Sequence, residues 1–469
     1  MSKGGSRAGA ADAPTPGPAP DSGSRRRARP ARPPWRDFLR LHRAFTASVI
    51  SGLTLMHRQY GPFVCARLPL QLYFVADPVC IEEILVKKAD LFRKDRTSRL
   101  LSRVIGNGLL VNDGASWLRQ RRLIQPAFHH RQLQTYAALM VGAIEREAAT
   151  WQSGQVRNVH EDMMRVTLDI VAEALFGADV SADAGHIGQS ISELMEEFGR
   201  VLGLAARFQP PAWVPTPTNR RFKASTRKVD QVILGIIEAR RRKPEAAQND
   251  LLSLLINARD EDGGRMTDAQ VRDEAVTLFL AGHETTALAL TYSLYLLATH
   301  PECQTRLADE LQRVLGGRTP SLADLENLTY TDAVVLESMR LYPPAWGIAR
   351  EALTDVEIGG YAFRKGAAFV MSPWVLHHDP KNFDEAEAFK PQRWENDLLH
   401  RLPKFAYFPF GGGPRVCIGN RFAMMEAKLV LAVALQRFRF EVAPQTELTL
   451  FPSVTLRPRN GLRLRVIAR

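Results

Sequence analysis

The chain has 469 residues, a formal net charge of +12, and 45% hydrophobic against 24% charged side chains; that is enough apolar material for a large core, and length alone predicts two or three domains. Four cysteines (Cys65, Cys80, Cys303 and Cys417) are scattered without paired spacing, which argues against a disulfide framework or a zinc site and suits a reducing compartment. The basicity does not indicate nucleic acid, because it is uneven: residues 1–34 carry seven basic and two acidic side chains.

Residues 1–34 include Ala13-Pro14-Thr15-Pro16-Gly17-Pro18 and Arg25-Arg26-Arg27-Ala28-Arg29, and such a composition cannot bury enough apolar area to fold. They read as a disordered tail, with a membrane-surface or targeting arm as the functional alternative. No run of about 20 apolar residues occurs, so no integral membrane anchor is expected. Phe45 to Met56 is short and broken by Thr46, Ser48, Ser51 and Thr54. No apolar core follows the first basic residues, so no signal peptide is read and the expected location is cytoplasmic.

Trp35 to Tyr60 reads as one helix, ended by Gly61-Pro62. Phe63 to Leu68 and Gln71 to Val75 form a hairpin, and a helix opens at Asp77-Pro78 and runs to about Lys88. From there the periodicity is mostly helical. Helices are expected over Ser116–Ile124, Arg131–Trp151, Val159–Leu175, Ile187–Leu202, Arg220–Arg242, Asp268–Ala298, Pro301–Leu315, Thr331–Leu341 and Gly419–Phe438. Strands return between Val356 and Val370. Thr455-Leu456-Arg457-Pro458 and Gly461 to Val466 suggest a terminal hairpin, and Pro210 to Pro217 is a proline-dense connection between helices. The expected fold class is mainly α, a large helical domain with small β-sheets over 35–469.

Four constellations carry chemistry. In Phe410-Gly411-Gly412-Gly413-Pro414-Arg415-Val416-Cys417-Ile418-Gly419, consecutive glycines let the backbone turn tightly so that amide N–H groups can face the sulfur. The helix that follows adds its dipole, and a thiolate favoured in this way suits an iron. The long helix near 280 holds Ala281-Gly282-His283-Glu284-Thr285-Thr286, an acid beside an alcohol in an apolar stretch. A mid-helix glycine costs about 1 kcal/mol relative to alanine, so Gly282 is expected to admit a small ligand such as O2 to the backbone. Thr285 then donates a hydrogen bond to that ligand and Glu284 relays protons; alternatively Thr285 bonds back to its own preceding turn. Glu337 and Arg340, three apart on a helix, form a scaffold pair with Arg393 as the expected third member. Trp117 and Arg121 share a helix face and both donate, which suits a carboxylate such as a haem propionate; Arg415 and Arg350 are further candidates for the same carboxylates.

Together these residues resemble the cytochrome P450 family, in its soluble bacterial form, from about Gly61 to the C-terminus. The resemblance implies the triangular helical P450 fold, haem b with Cys417 as iron ligand, and insertion of one oxygen atom from O2 into a lipophilic substrate. It also implies Trp117, Arg121, Arg350 and Arg415 as haem contacts and Glu284 and Thr285 as catalytic residues. Gln392 stands where the family usually has glutamate, and His378 where it usually has arginine, both in the scaffold region. Electrons are expected from a separate ferredoxin or flavodoxin with its NAD(P)H reductase, steered by Arg119, Arg122, Arg401, Lys404, Arg421 and Lys428.

By resemblance the substrate side draws on Leu109, Leu110, Leu278, Ala281, Ala345 to Ile348 and Ser453 to Thr455. These are almost all apolar, which favours a fatty acid, terpenoid, steroid or polyketide. The motif wording is closer to long-chain and terpenoid hydroxylases than to camphor-type enzymes. Two other readings remain: a haem-thiolate enzyme that uses peroxide or isomerises its substrate, and a non-enzymatic haem-binding protein.

Overall fold

A computed structural model describes residues 30–68, 70–177, 213–242 and 250–469. Its principal helices are α1 (Phe38–Ala47), α2 (Val49–Tyr60), α3 (Gly114–Ile124), α4 (His130–Ala148), α5 (Val159–Phe176), α6 (Pro217–Arg242), α7 (Leu251–Asn257), α8 (Asp268–Thr299), α9 (Pro301–Leu315), α10 (Thr329–Leu341) and α11 (Asn420–Arg437). The strands are β1 (Phe63–Leu68), β2 (Leu70–Val75), β3 (Phe92–Arg93), β4 (Val156–Asn158), β5 (Ile348–Ala352), β6 (Val356–Ile358), β7 (Tyr361–Phe363), β8 (Ala368–Met371), β9 (Phe438–Val442), β10 (Leu450–Pro452), β11 (Leu456–Pro458) and β12 (Arg463–Ala468). The fold is mainly helical with small sheets. The expected helix Ile187–Leu202 and most of the proline-dense connection lie outside the described residues, as do residues 1–29 of the expected tail. Ala31, also assigned to that tail, instead pairs beside β1, its carbonyl accepting the Cys65 N–H at 2.8 Å.

Central helix α8 is buried along most of its 32 residues. A capping box at Thr267 and Gln270 starts it, and its apolar faces pack against α4, α5, α10 and α11 in one cluster that includes Ile170, Leu290, Leu294, Val334 and Leu431. Gly282 serves this packing. A Cβ there would meet Val171 of α5 at 3.3 Å, so the glycine eases the close approach of a neighbouring helix.

The larger sheet has the order β1-β2-β8-β5-β3, with β2 and β8 parallel and the other pairs antiparallel. The pairing of β5 with β3 places Arg350, within β5, near Lys94, which directly follows β3. The single helix expected over Trp35–Tyr60 is broken at Ser48, which is extended (φ −165°, ψ 138°), so that α1 folds back on α2. Gly52 permits that contact, since a Cβ there would come within 2.5 Å of the Phe45 ring. The expected terminal hairpin is also corrected: β11 pairs with β10, whereas β12 lies between β4 and β9. Gly461, at φ +69°, makes the turn that redirects the chain.

Candidate active site

Cys417 lies three residues before α11, and its N–H donates to the Phe410 carbonyl at 3.0 Å. The loop glycines act sterically. A Cβ on Gly413, at φ +67°, would lie 1.8 Å from the Leu85 carbonyl oxygen, and one on Gly412 would strike the Phe405 ring at 2.1 Å. The backbone donor that stabilises the sulfur is Gly419, on the other side of the cysteine. Burial raises the thiol above its ordinary range, while Gly419 and the Arg121 charge pull the other way without cancelling it. A metal cation bound at the sulfur would add to the pull of Gly419 and Arg121 toward the thiolate.

Cys417 nevertheless carries exposed surface, and so does Ala281 in the middle of otherwise buried α8, with Gly282 and Thr285 half-buried beside it. Accessible surface on deeply placed residues marks an internal cavity between α8 and the cysteine loop. Cations gather at its edge. Arg415 spans Asp113, which it pairs with, and the Asn112 carbonyl at 2.9 Å, and its guanidinium lies 4.3 Å from the Trp117 ring centroid. Arg121, one turn after Trp117, is 5.8 Å from the same ring and makes no ion pair among the described residues. Arg350 is 7% exposed; burial and the neighbouring Arg415 push it down to about 10.

Lys94 was not anticipated from sequence. Burial, then Arg350 and Arg415, push its ammonium down to about 7, against the opposing pull of Asp113 and Asp95. Its backbone N–H is held by the Asp113 carboxylate at 3.2 Å, so Asp113 ties together the segment bearing Lys94 and the Arg415 guanidinium. Nothing in the local pattern around Lys94 could have revealed this, because the charges that depress it come from β5 and the cysteine loop. Lys94, Arg121, Arg350 and Arg415 lie close enough to act on one another electrostatically, with Asp113 and Asp95 as the nearby acids, which fits a dianionic ligand, and the Cys417 sulfur, which the Arg121 charge also reaches, fits an electrophilic metal. Haem, with two propionates and an iron, satisfies both.

Thr285 Oγ donates to the Ala281 carbonyl at 2.6 Å, the back-bonded alternative. Glu284 is 4% exposed and accepts hydrogen bonds from Thr455 and from Arg457, to which it is also ion-paired. Burial raises its carboxyl, but Arg457 and Thr455 more than offset that and leave it below the usual range. It is held as a carboxylate, joining α8 to the β10–β11 hairpin. Tyr292 adds a second tie there, donating to the Leu456 carbonyl at 2.7 Å, and Trp346 Nε1 donates to the Ser453 carbonyl at 2.9 Å. The cavity wall is thus fastened at three points.

The scaffold pair is fully buried. All five guanidinium N–H groups of Arg340 are engaged: two on Glu337, both at 2.8 Å, and three on the carbonyls of His377, Ala386 and Ala388 at 2.6–2.9 Å. Glu337 also accepts from Arg393 Nε, the Lys390 N–H and Trp394 Nε1, each at 2.9 Å. Arg393 is the expected third member, and Trp394 is a fourth that sequence did not indicate. His377 Nε2 accepts the Phe408 N–H at 3.1 Å, which links the scaffold to the segment entering the cysteine loop.

Of the six cations expected to face a redox partner, four have acidic neighbours: Arg119 with Asp260 at 2.6 Å, Arg122 with Glu261 at 3.5 Å, Lys404 with Glu82 at 3.7 Å, and Lys428 with Asp332 at 3.0 Å. Arg401 and Arg421 are exposed and make no ion pair among the described residues.

The family profile described as Cytochrome P450 matches residues 33–464. Cyclooctatin synthase of Streptomyces melanosporofaciens is 35% identical over 404 residues, 85% of this chain and 87% of that protein. Pentalenene oxygenase of Streptomyces avermitilis is 33% identical over 413 residues, covering 87% and 91% of the two chains. Cyclooctat-9-en-7-ol 5-monooxygenase of Streptomyces melanosporofaciens is 32% identical over 399 residues, covering 83% and 84%.

Proposed function

We propose a terpenoid as the substrate of this chain, which belongs to the cytochrome P450 family and is a haem-dependent monooxygenase. The likeness to relatives named for cyclooctatin, pentalenene and cyclooctat-9-en-7-ol carries the choice among lipophilic classes. The apolar character of the expected lining agrees with it: Leu109, Leu110 and Val454 pack on the same cluster as Leu278.

Cys417 would ligate the haem iron, and Lys94, Arg121, Arg350 and Arg415, with the Trp117 indole, would hold the propionates. When bound, haem supplies the activation of O2 and the delivery of one oxygen atom to substrate. The protein's part is to position and to manage protons. Thr285 donates its hydroxyl to the Ala281 carbonyl at 2.6 Å; to relay a proton it would turn that O–H from the carbonyl to an acceptor in the cavity, give its proton there and take a replacement from a neighbouring donor. Glu284, held as a carboxylate by Arg457, accepts a proton before it can give one, which sets the order of events in any relay through it.

A separate ferredoxin or flavodoxin, served by an NAD(P)H reductase, would deliver electrons, with Arg401 and Arg421 as the exposed cations left to attract it. Residues 35–469 are read as one catalytic domain working in the cytoplasm.

The test is a visible-absorption titration of the ferric protein with a terpenoid hydrocarbon and, separately, a long-chain fatty acid. Displacement of iron-bound water by the terpenoid, seen as a low-to-high-spin shift at lower concentration than for the fatty acid, is expected. The reverse order would remove the terpenoid reading.

A further inference from the structure

The most exposed large apolar side chain among the described residues is Trp35, at 89%, followed in its neighbourhood by Leu39 at 67% and Phe38 at 44%. These residues lie in the helical turn Trp35–Asp37, which runs directly into α1. At helical spacing they form three rows. Leu41, Ala44 and Phe45 turn inward to the contact with α2. Trp35, Phe38, Leu39 and His42 form an outward apolar row, with the Phe38 and His42 rings stacked at 5.9 Å. Arg36, Arg40 and Arg43 form a basic row beside it, all exposed. The one carboxylate of the segment, Asp37, turns to accept the Tyr60 hydroxyl at 2.6 Å, so the outward face carries no acid.

We propose that this face is a docking surface for an anionic lipid bilayer, with Trp35, Phe38 and Leu39 entering the headgroup boundary and Arg36, Arg40 and Arg43 meeting lipid phosphates. An apolar row edged by cations on an exposed helix is the pattern of an interfacial helix, and a partly apolar Trp suits the boundary between water and hydrocarbon. Charge excludes the nearest rival: a second copy docking by the same face would set arginine rows against each other. The chain upstream offers no cover either, because residues 1–29 contain no Val, Leu, Ile, Phe, Tyr or Trp. Across residues 1–46 there are ten basic and three acidic side chains, which adds attraction to an anionic surface. Among the described residues no helix is long and apolar enough to cross a membrane, so the contact is one of lying on the surface. A lipophilic substrate dissolved in the bilayer would then be met where it partitions.

Co-sedimentation of the full-length holoprotein with vesicles tests this. Phosphatidylglycerol–phosphatidylcholine vesicles are expected to bind it, in a salt-sensitive way, and pure phosphatidylcholine much less. The double variant Trp35→Ser, Leu39→Ser should bind the anionic vesicles about tenfold more weakly, with an unchanged haem spectrum as the check on folding. Arg36→Gln, Arg40→Gln, Arg43→Gln should remove the preference for anionic lipid. If the double variant binds like wild type, the attraction is charge alone, as for an acidic protein partner, and the proposal falls; equal binding to both vesicle types would overturn it as well.

Discussion

Thr285 has a single hydroxyl proton, committed to the Ala281 carbonyl at 2.6 Å, yet its side chain keeps accessible surface on the cavity side of α8. Thr285→Ala should leave haem content and substrate affinity unchanged while product per NAD(P)H consumed falls, because a proton-transfer group has been lost. Unchanged coupling would assign the hydroxyl to helix geometry alone. Glu274, on the same helix, is fully buried; one of its oxygens accepts the Leu109 N–H at 3.0 Å and the other has no partner. Burial, opposed by Leu109 and assisted by Asp273, pushes its carboxyl up to about 8 from 4.5. A raised folded-state value means that the stabilisation is intact below pH 4.5 and is lost as pH climbs through about 8. Between those limits the loss approaches about 1.4 kcal/mol per pH unit. Glu274→Gln should therefore gain stability relative to wild type between pH 4.5 and pH 8 in denaturant titrations, and parallel curves for the two proteins would refute the assignment. Cys417 and the pair Glu284–Thr285 stand out as candidates in local pattern, because each lies in a short segment with a distinctive composition. Lys94 and Asp113 do not, since their role arises from charges more than a hundred residues distant in sequence.

At the scale of elements, α8 was legible from its length and apolar content, and its start agrees with the capping residues Thr267 and Gln270. Strand partners were not. The sequence near 455–466 has the alternation of a hairpin, but β12 finds β9 and β4, and nothing local distinguishes a neighbour in sequence from one in space. That distinction bears on the site, because the hairpin that actually forms, β10 with β11, carries Ser453–Thr455 and is pinned to α8 through Glu284 and Arg457. Glu284→Gln breaks the ion pair of a buried carboxylate with Arg457, and should cost about 3 kcal/mol. Amide exchange in the 450–458 segment should rise more than elsewhere. A loss of coupling with unchanged exchange there would mean that Glu284 acts on protons alone and does not fasten the wall.

Across the whole molecule a buried hydrogen-bond network links α10 to the segment entering the cysteine loop. Glu337 and Arg340 bind Arg393, Trp394 and three backbone carbonyls, and His377 passes the constraint to Phe408. Lysine at 340 would keep the charge but could not satisfy the same set of acceptors. Arg340→Lys is expected to cost about 3–5 kcal/mol and to lower haem incorporation on expression, whereas full haem content at wild-type stability would show that the network is dispensable. The order of the four motifs along the chain was visible in sequence; the way Lys94, Arg350 and Arg415 converge required the pairing of β3 with β5. The most direct measurement is turnover of a terpenoid hydrocarbon by the purified holoprotein with a ferredoxin, its reductase, NADPH and isotopically heavy O2. One heavy oxygen atom in the product, with the other in water, is expected. An oxygen derived from solvent, or product formed equally well from peroxide without electron donors, would contradict the monooxygenase assignment.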